Sequence, residues 1–570
     1  MATASVVLPE LIQGPWTSLV VLTYGADLTF FDSHLLRQLS QVPLRIILVD
    51  SVRLNEALSE AAATGQSHKH ANRSYLLAPI RHARPAHAKV ILLTSRNAGR
   101  LLIGSGNLGQ NGYATPGELW HVYGYDDTNV SFADEFAAAR QLIDTMAKEH
   151  LLDPPVCEAL STVWDQAPWL SNAPAGPTTI CDNRVTSLAT QFLGVVAAID
   201  QPVQQLTVHA PFYDTKAAAL RFLVDQLTPR QVRVLLRKDT SVNPRALLKA
   251  LEGTRAQLLE VSVTNDDTYI HAKWVHVATT ERDILLTGSP NLSRPALLSD
   301  WTSGNIEAGV IQVLASGDVD ELYQPLTLTP IDNLSAWGLK IETTPPKPVP
   351  AGPLLLWSQL QGHHLRLAFT ATFDASLLHL SAADGAALAF KNARWDGNGT
   401  LLTVTLDPNQ VEQAVQAWWP IGVRIGDLDA DGNEPPTLPT WPYQIEQLAS
   451  RLKAAATNRL LHKVGPLPDA DKELYELLTQ LERSLIFDPI TAWRTVHPDT
   501  PPPPDNEGEQ KLAWKDIDWS KLKRSPHFGA YHYLTAPGIT RTDIEVILAS
   551  IYAQLSKLPQ PVDDVTTDDT

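Results

Sequence analysis

The sequence predicts an α/β protein in which one α/β unit occurs twice in tandem, followed by a β-rich region and a helical C-terminal region. A short motif recurs at a constant offset, apolar runs alternate with helical periodicity around each copy, and the composition changes after about residue 335. At 570 residues the chain is long enough for several domains. We expect the boundaries to enclose residues 1–175, 176–335, 350–445 and 446–570.

The repeated motif is the strongest feature of the chain. "HAKVILLTSRNAGRLLIGSGNLG" begins at His87, and "HAKWVHVATTERDILLTGSPNLS" begins at His271. Identical residues keep one offset of 184 positions, among them the pairs His87 and His271, Lys89 and Lys273, Gly104 and Gly288, Ser105 and Ser289, Asn107 and Asn291, and Leu108 and Leu292. These identities at one offset indicate an internal duplication.

The first copy begins with alternating strand and helix patterns. "TSLVVLTYGADL" and "PLRIILVD" predict strands, and "FFDSHLLRQLS" between them has helical spacing. This order predicts a largely parallel sheet. "AKVILLTS" and "RLLIGSGN" predict two adjacent strands joined by a short turn at "RNAG".

The second copy repeats this plan after a helical connection. "SFADEFAAARQLIDTMAKEHLL" and "VCEALSTVWDQAPWL" predict helices, and the junction falls near residue 175 at "SNAPAGPTT". Beyond it, "QQLTVHAPFYD", "QVRVLLRK" and "AQLLEVSV" predict strands, and "TKAAALRFLVDQL" and "PRALLKALEG" predict helices.

The C-terminal part has a different character. "TTPPKPVPAGP" predicts a linker, and the short alternating segments of residues 354–445 predict a small β-sandwich. From about residue 446 the pattern is helical, and it ends in the acidic tail "VDDVTTDDT". "DLDADGNE" at 427–434 has the acidic spacing of a calcium loop, but its twelfth position is Leu438, so we interpret it as a turn.

Composition limits the classes of function. A net charge of −17 argues against a general nucleic-acid or membrane-surface binder. No apolar run is long enough to span a membrane, and the first residues predict no secretory signal. The two cysteines, Cys157 and Cys181, have no metal-ligand spacing, so we expect reduced thiols in a cytoplasmic protein.

One basic segment stands out in this acidic chain. No Asp or Glu lies between Glu60 and Glu118. The segment carries basic side chains and histidines at Lys69, Arg73, Arg81, Arg84, Lys89, Arg96, Arg100, His68, His70, His82 and His87. A solvated loop before a buried strand is one interpretation. The other is a local positive field for a phosphate-bearing substrate, to which Lys69, Arg73, Arg81 and Arg84 would contribute.

The motif suits chemistry on a phosphodiester. Residues two apart on a strand share a face, so each His and Lys point the same way, as do each Ser and Asn of Gly-Ser-x-Asn. Two facing copies would pair two imidazoles between two ammonium groups. A neutral His can attack phosphorus while a protonated His donates to the leaving oxygen. Lysines and asparagines would stabilise the transition-state charge, with no metal or cofactor.

The doubled His-x-Lys with Gly-Ser-x-Asn-Leu resembles the phospholipase D superfamily over roughly residues 15–320. The resemblance implies two α/β/α repeats that form one pseudo-twofold catalytic unit and a covalent phosphohistidine intermediate. It also implies acidic residues that hydrogen-bond the catalytic histidines. Glu307 in "SGNIEAGVI" resembles one of them, and Glu118 in "PGELWHVYG" is its counterpart. A carboxylate behind an imidazole sets its tautomer and raises its basicity.

Both copies depart from the family pattern at one position. The family carries an Asp seven residues after the His, where this chain has Thr94 and Ala278. The branch around tyrosyl-DNA phosphodiesterase also lacks this Asp, and some restriction-type nucleases vary there. The departure favours nucleic-acid phosphodiesterases over lipid enzymes. By analogy, His87 is the nucleophile and His271 the general acid, with the reverse assignment open.

The sequence therefore predicts a metal-independent phosphodiesterase, most simply a nuclease that cleaves DNA. Because an acidic protein is a poor unaided DNA binder, we expect a protein partner such as a helicase or another subunit of a bacterial defence or DNA-processing system. The β-rich and helical C-terminal regions are candidate docking surfaces. Two alternatives stay open: a lipid phosphodiesterase, which would need a route to membranes, and a non-catalytic scaffold that binds nucleic acid.

Overall fold

The computed structural model describes Ile12, Gly14 and residues 16–39, 42–63, 68, 70–113, 117–263, 270–334, 337, 353–411, 420–426 and 435–445. The predicted helical region at 446–570, Lys69 and the turn at 427–434 lie outside these residues. All described residues other than Asp32–Arg37 belong to one compact unit. The fold is mixed α/β, as the sequence predicts.

The first sheet has six strands in the order β3-β2-β1-β4-β5-β6. Its strands are β1 Ser18–Thr23, β2 Leu44–Asp50, β3 Leu76–Ile80, β4 Val90–Thr94, β5 Ala98–Gly104 and β6 Trp120–Asp126. Only the β1–β2 and β2–β3 pairs are parallel; the other three are antiparallel. The prediction of a largely parallel sheet is therefore wrong. The turn between β4 and β5 is too short for the crossover that parallel neighbours need.

Helices cover this sheet with residues at helical spacing. After short helical turns at Leu28–Phe30, Phe31–Leu35 and Leu36–Gln38, the helices are α1 Ser51–Ala63, α2 Gln110–Tyr113, α3 Ala133–Lys148 and α4 Pro154–Gln166. In α3 the buried side chains of Phe136, Ala139, Ile143 and Met146 recur every three or four residues and share a core with the sheet. Helix α3 thus buries an apolar stripe in the core of the first sheet.

The second sheet has eight strands in the order β14-β10-β9-β8-β11-β12-β13-β7. They are β7 Ile180–Asp182, β8 Gln205–His209, β9 Gln231–Leu236, β10 Ala256–Val263, β11 Trp274–Ala278, β12 Arg282–Gly288, β13 Ala308–Ala315 and β14 Leu326–Pro330. Again only two pairs, β8–β9 and β9–β10, are parallel. The run β10-β9-β8-β11-β12-β13 has the same order and directions as the first sheet.

The helical segments of this half are α5 Leu188–Ile199, α6 Ala218–Leu227, α7 Pro244–Ala250, the turn Arg294–Leu298 and α8 Asp320–Tyr323. Leu220, Leu223 and Leu227 of α6 pack in one core with β8 and β9. No helix of the described residues is both long and apolar enough to cross a membrane.

Residues 353–445 contribute two small sheets that share one apolar core. One sheet has the order β15-β16-β19-β18 and the other β17-β20-β21. Their strands are β15 Leu355–Gln361, β16 His364–Phe369, β17 Leu378–Ser381, β18 Phe390–Trp395, β19 Leu401–Leu406, β20 Ile421–Ile425 and β21 Leu438–Thr440, with a 3₁₀ turn at Ala375–Leu377. Two sheets over one core are the arrangement of a β-sandwich.

Buried polar contacts attach these sheets to the first half. Asp153 accepts a hydrogen bond from Tyr443 at 2.8 Å and two from Arg81 at 2.9 and 3.3 Å. Arg81 also donates to the backbone carbonyl of Leu356. Because Tyr443 packs in the core of the first sheet, the sandwich is continuous with that half.

The two α/β halves exchange backbone hydrogen bonds close to the repeated motifs. The His87 amide donates to the Ile306 carbonyl at 2.8 Å, and the Ile306 amide donates to Pro85 at 3.0 Å. On the other side, the His271 and Ala272 amides both donate to the Gly117 carbonyl at 2.9 Å. The segment before β4 therefore pairs with the segment before β13, and the segment before β11 pairs with the segment before β6.

The glycine of the second motif offers a test of the close packing between β12 and β13. Gly288 has φ +130°, and a Cβ there would lie 2.5 Å from Gly309 Cα and 2.6 Å from the Ala308 carbonyl oxygen. We expect Gly288→Ala to lower the free energy of unfolding by about 2–4 kcal/mol, because both backbone strain and overlap result. In the matched control Gly194→Ala, in α5, nothing lies within 4 Å, so we expect a gain of about 0.4–1 kcal/mol. Equal urea midpoints for the two variants would contradict this account.

Candidate active site

The His and Lys of each motif lie immediately before a strand. His87 and Lys89 precede β4, and His271 and Lys273 precede β11, so the motifs start in extended segments rather than within the strands themselves. Both segments form backbone hydrogen bonds with the other half of the protein, the first with Ile306 and the second with Gly117. Side chains two residues apart still share a face in these extended segments. Both lysine side chains are buried, with Lys89 0% and Lys273 1% exposed.

Each histidine is bound by a carboxylate from the opposite half. His87 Nδ1 lies 3.0 Å from Glu307 Oε2, and His271 Nδ1 lies 2.7 Å from Glu118 Oε1. Glu307 directly precedes β13 of the second half, and Glu118 lies shortly before β6 of the first. The two halves therefore exchange carboxylates, and neither His–Glu pair is complete within one half.

The motif serines hold these carboxylates in place. Ser105 Oγ donates to Glu118 Oε2, and Ser289 Oγ donates to Glu307 Oε2. Each Ser binds the Glu of its own half, and that Glu reaches the His of the other half.

Two asparagines that the sequence analysis did not single out also position Glu307. Asn305 Nδ2 donates to Glu307 Oε1 at 2.9 Å, and the Glu307 amide donates to Asn183 Oδ1 at 2.9 Å. Asn183 is fully buried and also donates to two backbone carbonyls. Asn305 could have been found by the two-residue spacing in "SGNIEAG". Asn183 gave no such indication, because it lies more than a hundred residues away in the chain.

The two lysines join the motifs into one electrostatic cluster. Lys89 Nζ donates to the His87 carbonyl at 2.6 Å, and Lys273 Nζ contacts the His271 carbonyl and lies 2.9 Å from His271 Nε2. Burial lowers the pKa of Lys273 to about 8. Burial, and then the nearby charge of Lys273, hold the pKa of Lys89 well below its usual value. The effect of Lys273 on Lys89 indicates that the two side chains lie in one low-dielectric region.

Both imidazoles are neutral at neutral pH. Burial lowers the pKa of His87 to about 4, opposed by the Glu307 carboxylate and reinforced by the Lys89 charge. Burial and then the Lys273 charge lower the pKa of His271. Burial raises the pKa of Glu118 and Glu307, but the facing His and Lys groups outweigh it, and both values stay below normal. Each neutral ring therefore donates its Nδ1–H to a carboxylate and carries its lone pair on Nε2.

The two motif asparagines differ in their hydrogen bonding. Asn107 Oδ1 accepts from the Gly25 amide at 3.4 Å. Asn291 Oδ1 is buried and has no hydrogen-bond partner among the described residues. A buried acceptor without a partner costs free energy unless a bound group pairs with it. The second half therefore has an unused acceptor where the first half has an occupied one.

The predicted positive field is distributed over several parts of the fold. Arg81 forms an ion pair with Asp153, so it is committed to the sandwich contact rather than to the cluster. Arg84 is exposed, Arg73 is half-buried, and Arg100 lies over the Trp16 ring at 5.5 Å. The acid-free segment spans β3, β4 and β5, whose side chains alternate between faces, so adjacency in sequence does not become adjacency in space.

An aromatic side chain that the sequence analysis missed lies against the first motif. The Tyr24 ring centroid is 4.9 Å from that of His87, and Lys89 Nζ lies 5.5 Å from the Tyr24 centroid. Tyr24 directly follows β1 in "LTYGAD". It follows the carboxyl end of β1, which has β2 as a parallel neighbour and β4 as an antiparallel one. Ligand sites of α/β sheets gather at the carboxyl ends of parallel strands, and that rule could have indicated Tyr24.

The described residues form no cluster of side chains that would bind a metal ion. Within the described ranges, no three His, Cys, Asp or Glu side chains are arranged to hold an ion. The cluster is built from imidazoles, ammonium groups, carboxylates and amides. Such groups can bind an anion, transfer protons and supply a nitrogen nucleophile.

Comparison with known proteins gives only remote similarities. No protein-family model matches the sequence, and no curated protein sequence matches it. A mutant of yeast tyrosyl-DNA phosphodiesterase 1 aligns with a TM-score of 0.38 and 10% identity, over 54% of this chain and 85% of that one. Polyphosphate kinase from Porphyromonas gingivalis aligns with a TM-score of 0.29 and 12% identity, over 54% of this chain and 44% of that one.

The buried imidazole of His87 predicts a pH dependence of stability. Its folded pKa of about 4 lies below the normal value of 6.5, so between these values the unfolded chain binds more protons. The contribution of His87 to stability is present above pH 6.5 and is lost as pH falls toward 4, on the order of 1–3 kcal/mol.

Urea unfolding between pH 7 and 4.5 measures this effect against the variant His87→Asn. We expect a shallower loss of stability in the variant, because a non-titrating side chain replaces the imidazole. His121 and His209, whose pKa values burial also lowers to about 4, remain in both proteins and set the residual slope. Identical slopes would mean that His87 titrates normally in the folded protein.

Proposed function

We propose that the chain is a metal-independent phosphodiesterase, in which residues 1–335 form two copies of one phospholipase D-like unit with a single active site at their junction. The observation that carries this proposal is the exchange of carboxylates, Glu307 to His87 and Glu118 to His271. Because each imidazole is oriented by the other half, the two histidines belong to one site. The matching strand orders of the two sheets support the duplication.

In the first chemical step, neutral His87 attacks phosphorus through Nε2. A P–N bond forms, the bond from phosphorus to the leaving oxygen breaks, and protonated His271 donates a proton to that oxygen. Glu307 stabilises the positive charge that develops on the His87 ring. Lys89, Lys273 and the motif asparagines are the groups available to stabilise the non-bridging oxygens.

The second step reverses these roles. Neutral His271 accepts a proton from water as the water oxygen attacks phosphorus. The P–N bond breaks, and His87 returns to its neutral form with both products released. His271 must be protonated at the start of each cycle. Its resting pKa is lowered by burial and by Lys273, and the negative charge of a bound phosphodiester raises it again.

The assignment of His87 as the nucleophile follows from the different surroundings of the two rings. The His87 side chain is 10% exposed, against 22% for His271, so water reaches the His271 ring more easily and can supply the proton that this ring takes up in the second step. Lys273 Nζ lies 2.9 Å from His271 Nε2, and this contact must open before that nitrogen attacks or carries a proton, so it does not separate the two roles. The low pKa of His87, about 4, keeps its lone pair available at neutral pH.

For the substrate we propose DNA. The basis is the motif itself, which has Thr94 and Ala278 where lipid enzymes of the resembled superfamily carry Asp. Thr94 is buried and bonds Ser18 Oγ at 2.6 Å, a structural contact within the sheet. The net charge of −17 leaves little attraction for a polyanion outside the site, so we propose that a partner protein delivers the DNA.

Cleavage in the presence of EDTA tests the reaction class. We expect the wild type to cleave DNA with chelator present, and His87→Ala to lose at least about 1000-fold in kcat, because the nucleophile is absent. His364→Ala, an exposed histidine of the sandwich, is the matched control and should cleave like the wild type. Activity that disappears on chelation would contradict the proposal, and release of choline from vesicles instead of DNA cleavage would indicate a lipid enzyme.

Covalent trapping tests the two histidine roles. Bis(p-nitrophenyl) phosphate has a leaving group that needs no acid, so His271→Ala should release about one p-nitrophenolate per chain and retain a phosphoryl adduct. We expect mass spectrometry to place this adduct on His87. Trapping at His271 in the His87→Ala variant would establish the reverse assignment. If neither variant forms an adduct, the protein is a scaffold rather than an enzyme.

A further inference from the structure

Tyr24 connects the first motif to the surface of the protein. Its ring packs on His87 with an angle of 59° between the ring planes, and Lys89 lies over the same ring. The ring therefore limits rotation of the imidazole and excludes water from one side of it. Burial raises the pKa of the Tyr24 phenol, so the hydroxyl is neutral.

Arg53 holds this tyrosine on its outer side. Arg53 Nε donates to Tyr24 Oη at 2.9 Å, and the guanidinium carbon lies 5.0 Å from the ring centroid. The Arg53 side chain is 37% exposed and forms a surface ion pair with Glu56 at 2.8 Å. A pair of this kind is weak, so a phosphate group can replace the Glu56 carboxylate.

Asp50 fixes this arrangement relative to the motif. Asp50 Oδ1 accepts from the Val52 and Arg53 amides, both at 3.1 Å, at the start of α1. Asp50 Oδ2 accepts from the Ala86 amide at 2.9 Å, directly before His87. The start of α1 and the segment that carries His87 are thus tied to one buried carboxylate.

At the position that matches Tyr24, the second half carries a proline. After β1, Ala26 bridges to Leu108 of the first motif, and after β8, Tyr213 bridges to Leu292 of the second. Two residues before these matched positions stand Tyr24 and Pro211. Proline offers neither an aromatic ring nor a hydroxyl. Pro211 therefore cannot repeat the contact that Tyr24 makes with His87.

We propose that Tyr24 is a positioning residue for His87 and that Arg53 binds the phosphate next to the scissile one on a polynucleotide strand. This rests on the proposed function. The Arg53 guanidinium carbon and the His87 ring centroid lie 5.0 and 4.9 Å from the centroid of the same tyrosine ring, so a strand held at His87 can bring a neighbouring phosphate to Arg53. Arg binds phosphate with paired N–H donors. The bound polynucleotide strand then has one fixed direction across the site, because its flanking phosphate lies on the His87 side.

Turnover of a small substrate tests the role of Tyr24. On bis(p-nitrophenyl) phosphate we expect Tyr24→Ala to lower kcat about 10-fold or more with little change in KM, because the ring no longer holds His87. Tyr24→Phe keeps the ring and should recover most of this loss. A phenylalanine variant as slow as the alanine variant, or an effect confined to KM, would overturn the positioning role.

Binding of a fluorescent single-stranded oligonucleotide to the inactive His87→Ala protein tests Arg53. We expect Arg53→Gln in this background to weaken binding about 10-fold and to reduce the slope of log Kd against log salt by about 0.7, because one phosphate contact is lost. A dinucleotide with a single phosphodiester should show a smaller loss. The control is Arg221→Gln, which removes an exposed arginine paired with Asp225 four residues away, and it should bind like its parent.

These outcomes separate the two proposals. An unchanged salt slope, or equal losses on the dinucleotide and the oligonucleotide, would overturn the flanking-phosphate contact even if the enzyme cleaves DNA. A wild type that binds the oligonucleotide but never forms a phosphohistidine would reject the proposed function and leave the Arg53 contact measurable. No oligonucleotide binding at low salt would overturn the inference itself.

Discussion

Two buried carboxylates, exchanged between halves of the chain, are the constraint on which the rest of the site depends. Glu307 is fully buried and the Glu118 side chain is 7% exposed. An ionised carboxylate in such a position is costly unless hydrogen bonds and opposite charge offset the lost hydration. A histidine of the other half and a serine of its own half bind each Glu, and Lys273 and Lys89 supply the opposite charge for Glu118 and Glu307. Separating the halves would remove the histidine and the lysine from each Glu.

This exchange also explains how the motifs lie. The backbone bonds from His87 to Ile306 and from His271 to Gly117 hold each histidine segment beside the residue that precedes the partner glutamate. Serine and glutamate within one half set the carboxylate, and backbone pairing between halves brings the imidazole to it. The serine of each Gly-Ser-x-Asn therefore positions, through its glutamate, the histidine of the other half.

The two halves share one arrangement of strands, but the two motif histidines have different surroundings. His87 is the more buried imidazole and packs against Tyr24, whereas His271 is more exposed and has Lys273 at its Nε2. Asn107 is hydrogen-bonded to Gly25, and Asn291 keeps an unused acceptor. Two unlike histidine environments are what the proposed roles of nucleophile and proton donor require. Both lysines of the site are buried, and a charge in such a low dielectric acts strongly on its neighbours.

The sequence by itself determined the α/β class, the two copies of the motif, and the candidates His87, Lys89, His271, Lys273, Glu118 and Glu307. These follow from periodicity, spacing and a resemblance carried by contiguous residues, all of which are local properties of the chain. It did not determine that most strand pairs are antiparallel, because pairing direction depends on neighbours distant in sequence. Only the tertiary structure decided which Glu meets which His, why Arg81 serves the sandwich contact, and how Asn183 and Tyr24 reach the site. Each of these contacts joins residues that are separated by dozens to hundreds of positions, so no local pattern records them.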